Sequence, residues 1–123
     1  MTRTNASARD AGTRFETSIV AFLAAHIDDR IERRSRNGAK DRGDVSGVRT
    51  HGGGRVVVEC KNTARTNLGA WIAEAHLEAG NDDAVAGVVA HKRHGRGDPA
   101  DQWVTMTLAD LVALLTGERP VAP

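Results

Sequence analysis

The sequence predicts a single α/β domain in which a mixed β-sheet carries helices on its faces. Three observations carry that prediction. The 123 residues suit one compact core and leave no room for a second. Stretches with apolar residues every three or four positions alternate with short β-branched runs. Two of those runs are joined by the glycine-rich Thr50-His-Gly-Gly-Gly54, the connection of an antiparallel hairpin.

Taken in order, residues 1–10 are polar and read as a flexible tail, and the domain proper is expected over residues 11–117. From Ala11 to Asp28, Phe15, Ile19, Phe22, Leu23 and Ile27 recur with the period of an amphipathic helix. Arg30 to Arg36 reads as a short strand at a sheet edge, and Asn37 to Gly43 as a loop. Asp44–Arg49 and Arg55–Lys61 form the hairpin, with Val56-Val-Val-Glu-Cys60 as a buried central strand. Leu68 to Ala79 has helical spacing and Gly80-Asn81 the look of its C-terminal cap. Val85–His91 and Gln102–Thr105 are further strands separated by a polar loop. Thr107 with Asp110 starts a last helix whose buried stripe is expected to be Leu108, Leu111, Val112 and Leu115, ending at Gly117. Residues 118–123 are a short tail.

About 40% of residues are apolar and 27% charged, the balance of an ordinary globular protein. With two Phe, two Trp and no Tyr, the core must rest on Val, Leu, Ile and Ala. A domain this small gains stability from pairing with a second copy. No apolar run approaches the roughly 20 residues that span a bilayer, and the polar start lacks the apolar stretch of a signal peptide. The single cysteine, Cys60, excludes an internal disulfide and any Cys-clustered zinc or iron–sulfur site. A cytoplasmic protein is expected.

The net charge is only +1, but its distribution is uneven. Arg30, Arg33, Arg34, Arg36, Lys40, Arg42 and Arg49 face only Glu32, Asp41 and Asp44 over the same stretch, and Lys92, Arg93 and Arg96 form a second cluster. Such patches suit a polyanion, although Arg-rich loops also serve simply to keep a surface solvated.

Glu59 and Lys61 lie two apart in the most apolar strand, so they share one face while Cys60 points to the other. An acid and a lysine in such a strand are costly without a reason. With the hairpin centred near residue 52, Asp44 falls opposite Glu59–Lys61, so two carboxylates and a lysine converge. Glu16, on the border of the first helix's apolar stripe, adds a third carboxylate. Clustered carboxylates need a cation, and all-oxygen ligation suits Mg²⁺. Such an ion activates water towards a phosphodiester, and a neighbouring lysine neutralises charge on the phosphate. The same residues also admit a plain reading, in which Glu59 and Lys61 form a salt bridge and Asp44 caps a turn.

The ordered set resembles the PD-(D/E)xK nuclease superfamily, in particular the small archaeal-type and bacteriophage-encoded Holliday junction resolvases. The matching elements are Glu16, Gly43-Asp44-Val45 and Glu59-Cys60-Lys61, with Gly38-Ala-Lys-Asp-Arg-Gly-Asp44, Gly87-Val-Val-Ala-His-Lys-Arg93 and Trp103-Val-Thr-Met-Thr107 around them. The resemblance spans roughly Ala11 to Gly117. It implies a restriction-endonuclease-like fold and a metal-dependent endonuclease that resolves four-way DNA junctions as a homodimer. Another nuclease of the superfamily, or a silent DNA-binding scaffold, is the alternative. It further implies that Asp44, Glu59 and the Cys60 carbonyl bind Mg²⁺ (or Mn²⁺ in its place), that Glu16 completes the site and that Lys61 is catalytic. No small-molecule cofactor is implied. Arg33, Arg34, Arg36, Lys40, Arg42, Lys92 and Arg93 are the candidate contacts to branched DNA. Gly43 stands where the superfamily name has proline. The glutamine often found on the helix after Glu-x-Lys is absent; Glu74 occupies that region.

Overall fold

In the structure, a computed structural model that describes residues 4–34 and 41–121, three helices flank a five-stranded mixed sheet in one α/β domain. The first helix, α1 (Asn5–His26), starts earlier than its apolar pattern suggests. Thr4 Oγ1 accepts from Ser7 N at 3.0 Å and Ser7 Oγ accepts from Thr4 N at 2.9 Å. This reciprocal cap satisfies two donors that the helix start would leave unpaired, so residues 5–10 are helical rather than a flexible tail.

The strands β1 (Glu32–Arg33), β2 (Val45–Ser46), β3 (Val56–Lys61), β4 (Ala86–His91) and β5 (Trp103–Thr105) lie in the order β1-β2-β3-β4-β5. Neighbours are antiparallel except for β3 and β4, which run parallel because α2 (Leu68–Asn81) crosses between them. The hairpin has the expected register: Val45 pairs Val58 and Arg49 bridges Arg55. Its first strand is only two residues long, because the chain leaves the ladder at Gly47, whose φ is +91°. β1 is likewise shorter than the 30–36 expected, and the end of that stretch lies outside the described residues.

Alternation along β3 and β4 splits the core between two faces. Val56, Val58, Ala86, Val88 and Ala90 pack with Phe15, Ile19 and Val20 of α1. Val57 turns the other way, against Ala79 of α2 and Ala84. There the helix and sheet touch backbone to backbone: a methyl group added to Gly87 would lie 2.6 Å from the Ala75 carbonyl oxygen. The helix runs through Gly80-Asn81, which were expected to cap it, and ends on Asp82.

The last helix, α3 (Leu108–Thr116), reverses the sequence expectation about its buried stripe. Leu108 and Leu115 are about four-fifths exposed and Leu111 and Val112 about two-fifths, while Asp110 and Ala113 are buried. Asp110 decides this orientation. Its carboxylate accepts from Thr107 N and Oγ1 at 3.0 and 2.9 Å and from Gly87 N at 3.2 Å, and lies 2.9 Å from His76 Nε2. Those bonds anchor the polar side of the first turn on β4 and α2 and rotate the leucines outward. Gly117 ends the helix at φ +84°, as expected. Among the described residues no helix is long and apolar enough to cross a membrane.

Candidate metal centre

The hairpin register sets the site. With Val45 opposite Val58, Asp44 lies opposite Glu59, and Asp44 Oδ2 accepts a 2.9 Å hydrogen bond from Cys60 N. The residue before it, Gly43, has φ +93°, which proline cannot adopt. A Cβ there would meet Val57 Cγ1 at 2.8 Å and Glu78 Oε2 at 3.3 Å. Glycine at this position therefore makes the turn and leaves room for a carboxylate arriving from α2.

That carboxylate was not anticipated from the sequence. Along α2, Trp71, Glu74, Ala75, Glu78 and Ala79, followed by the capping Asp82, recur at three- and four-residue steps, a stripe facing the sheet. The small Ala75 and Ala79 let the helix sit close, and Glu78 is driven into the interior at 1% exposure. Glu59, on the facing strand, is 3% exposed. Asp41 completes the group from the loop before β2. Its Oδ1 accepts from Gly43 N at 3.0 Å, and its carbonyl accepts from Asn81 Nδ2 at 2.7 Å. Asp41, Glu59, Glu74 and Glu78 each offer one oxygen within 4.8 Å of the others, a set that could hold a metal ion.

The electrostatics fit an incomplete site. Burial pushes the Glu59 carboxyl far above the ordinary range, and the adjacent Asp44 and Glu78 push it further. Glu78 is raised as well, by burial first; its contact with Glu59 works against this, while Asp41, Glu74 and Asp44 reinforce it. Neither Glu78 oxygen has a donor among the described residues, so a proton shared with Glu59 is the one favourable contact open to it. Lys61 Nζ donates to Glu74 Oε2 at 2.7 Å. Burial disfavours that ammonium, yet Glu74, Glu59 and Asp44 outweigh burial and hold it above its usual value.

Of the residues expected at the site, Asp44, Glu59 and Lys61 come together, while the Cys60 side chain packs into the α1-facing core. Asp44 lies close enough to help raise the Glu16 carboxyl, but Glu16 Oε1 is engaged by Arg33 Nε at 2.9 Å. Burial raises the Glu16 carboxyl against the pull of that arginine.

The expected DNA contacts have varied surroundings. Arg34 grips Asp82 with two bonds of 3.0 and 3.4 Å, a tie between the β1 edge and α2. Arg93 lies over the Trp103 ring, 4.3 Å from its centroid, and Lys92 donates to the Arg96 carbonyl. Arg42 is exposed, and Arg36 and Lys40 lie outside the described residues. His91 is buried and bonded to Thr105 Oγ1 at 2.7 Å.

Comparison of the chain with protein-family models, curated proteins and solved structures gave no match. Fold and site together define a small α/β domain whose buried carboxylates could hold a metal ion.

Proposed function

We propose that the chain is a Mg²⁺-dependent DNA endonuclease of PD-(D/E)xK type with the restriction-endonuclease-like fold, acting as a homodimer on four-way junctions. The observation that carries this reading is the pairing of Asp44 with a deeply buried Glu59, with Lys61 two residues on along the same strand. Carboxylates in that setting are balanced by a hard cation, and the donors are all oxygens.

In this reading Asp44, Glu59 and the Cys60 carbonyl hold Mg²⁺, with Glu16 acting through water. Mn²⁺ would occupy the same oxygens. When bound, the ion supplies an acidic water and a polarised phosphodiester. Lys61 leaves Glu74 and donates to a non-bridging oxygen of the scissile phosphate, neutralising charge as it develops. Arg14 and Lys92 flank an open polar cleft of about 310 Å³ that also touches Asn62, next to Lys61. A phosphate backbone laid along that cleft would meet positive charge and polar groups rather than base-reading contacts. Contacts of this kind read shape and charge rather than bases, which suits branched DNA. Leu108, Leu115, Trp103 and Val104 are exposed, apolar area of the kind a second copy would cover, as paired nicking requires.

The test is incubation with a labelled four-way junction and a matched linear duplex, in Mg²⁺ and in EDTA. Paired symmetric nicks confined to the junction and abolished by EDTA are expected. Equal cleavage of both substrates would move the activity to a general nuclease. Tight junction binding without cleavage in Mg²⁺ or Mn²⁺ would overturn the enzyme and leave a DNA-binding scaffold.

A further inference from the structure

We infer that the chain has a divalent-cation position separate from Asp44, formed by Asp41, Glu59, Glu74 and Glu78 between β3 and α2, with Glu59 shared between the two. This deepens the nuclease reading and takes from it the first ion, on Asp44 and the other oxygen of Glu59.

The group does not rest on clustered acids alone. Glu78 is 1% exposed, and neither of its oxygens has a hydrogen-bond donor among the described residues. Beyond a proton shared with Glu59, a carboxylate so shielded from bulk solvent has no donor among the described residues, an arrangement proteins rarely keep without a ligand. Its oxygens point into the space that Glu59, Glu74 and Asp41 also face, all four within 4.8 Å of one another. The oxygens around a Ca²⁺ ion span about 4.6–5.2 Å across and those around Mg²⁺ about 4.2 Å, so the set as placed matches the larger ion and comes within reach of the smaller by side-chain rotation on a fixed backbone. Donors that are all carboxylate oxygens exclude a preference for soft metals.

The four ligands also come from parts of the chain whose relative placement is fixed. Asp41 is tied by its carbonyl to Asn81 of α2, and its carboxylate is held by the Gly43 amide. Gly43 has no side chain where Glu78 passes, at a distance of 3.3 Å. Glu74 is the one ligand with a competing partner, Lys61 at 2.7 Å. A cation accepted by Glu74 therefore releases Lys61. Filling this position and freeing the lysine for phosphate become one event, so the ion on α2 acts as a positioning element for the reaction beside it.

The test counts Mn²⁺ bound to the full chain by electron paramagnetic resonance, without DNA, in wild type and in Asp44→Asn, Glu78→Gln and Glu74→Gln. Glu74 is about two-fifths exposed, so its variant keeps the fold even if Glu78→Gln does not. Two ions per chain are expected in wild type. Glu78→Gln and Glu74→Gln should each weaken one ion at least tenfold and spare the other, and Asp44→Asn should do the converse. One ion, lost in Asp44→Asn and untouched by both α2 variants, would overturn this inference and leave the nuclease reading standing. One ion lost on changing either group would likewise overturn it, because the position would not be separate. An ion lost only in the α2 variants would uphold the position and overturn the Asp44 assignment. No binding at millimolar Mn²⁺ would overturn both.

Discussion

Glu78→Gln should make the metal-free protein more stable, not less. In EDTA near neutral pH, Glu78 and Glu59 face each other in the interior, with Glu59 protonated and Glu78 carrying much of a negative charge. An unsatisfied buried polar group costs about 1–3 kcal/mol. A glutamine of the same size removes the charge, and its amide donates to Glu59, so roughly 1–2 kcal/mol should be recovered. The unfolding entropy of a 123-residue domain is about 260 cal/mol/K, so 1 kcal/mol moves Tm by about 4 °C. Melting followed by circular dichroism at pH 7.5 in EDTA should therefore show the variant about 4–8 °C above wild type. Acid narrows the gap, and the sign is fixed by linkage. Both carboxyls are raised in the fold, so the native state binds more protons than the unfolded chain above the ordinary glutamate value of 4.5. Wild-type stability then falls as pH rises, by up to about 1.4 kcal/mol per pH unit for each extra proton held, and recovers on return to pH 5.5. Saturating Mg²⁺ should reverse the order, since an ion at 100 times its Kd contributes about 2.7 kcal/mol to wild type and less to the variant. A variant that melts below wild type in EDTA at both pH values would refute the reasoning, because Glu78 would then have a satisfied partner.

Asp110→Ala removes the acceptor for three donors and the partner of His76, and should cost about 3–4 kcal/mol, read as a Tm drop of roughly 12–16 °C. Gly43→Ala places a methyl group 2.8 Å from Val57 Cγ1 at φ +93°; a loss of about 2–3 kcal/mol is expected in a urea titration, with weaker Mg²⁺ protection. Lys61→Ala should lower single-turnover cleavage of a junction by about 10²–10³-fold, while Tm changes by no more than about 4 °C because only one half-exposed ion pair is lost. A cleavage rate near wild type would remove the lysine from the mechanism.

The hairpin was legible because a glycine-rich turn fixes a register, and an acid and a lysine two apart in a β-branched strand must share one face. Asp44, Glu59 and Lys61 follow from those two facts. Glu78 was not legible. Charged residues on a fourteen-residue helix usually face water, and nothing local distinguishes Glu78 from the exposed Leu77 beside it. Its burial is decided by Ala75, Ala79 and Gly87, which bring the helix down onto the sheet, and by Gly43, which clears its path. The orientation of α3 failed for a related reason. Periodicity identifies a face but not its direction, and Asp110, buried among four bonding partners, outweighed four exposed aliphatic residues. The early start of α1 was hidden by polar composition, although Thr4 and Ser7 are the residues that cap a helix.

The backbone contact between Gly87 and Ala75 has a consequence for discrimination between ions. Because no side chain cushions that contact, the distance from α2 to β3 and β4 is set by hard-sphere repulsion and cannot relax in small steps. Glu74 and Glu78 ride on the helix and Glu59 on the sheet, so the same contact works as a calliper on the opening between their oxygens. Gly87→Ala touches no ligand, yet it would push the jaws apart and shift preference from the smaller cation towards the larger. In such a site, selectivity would be stored one turn away from the oxygens that could hold the ion.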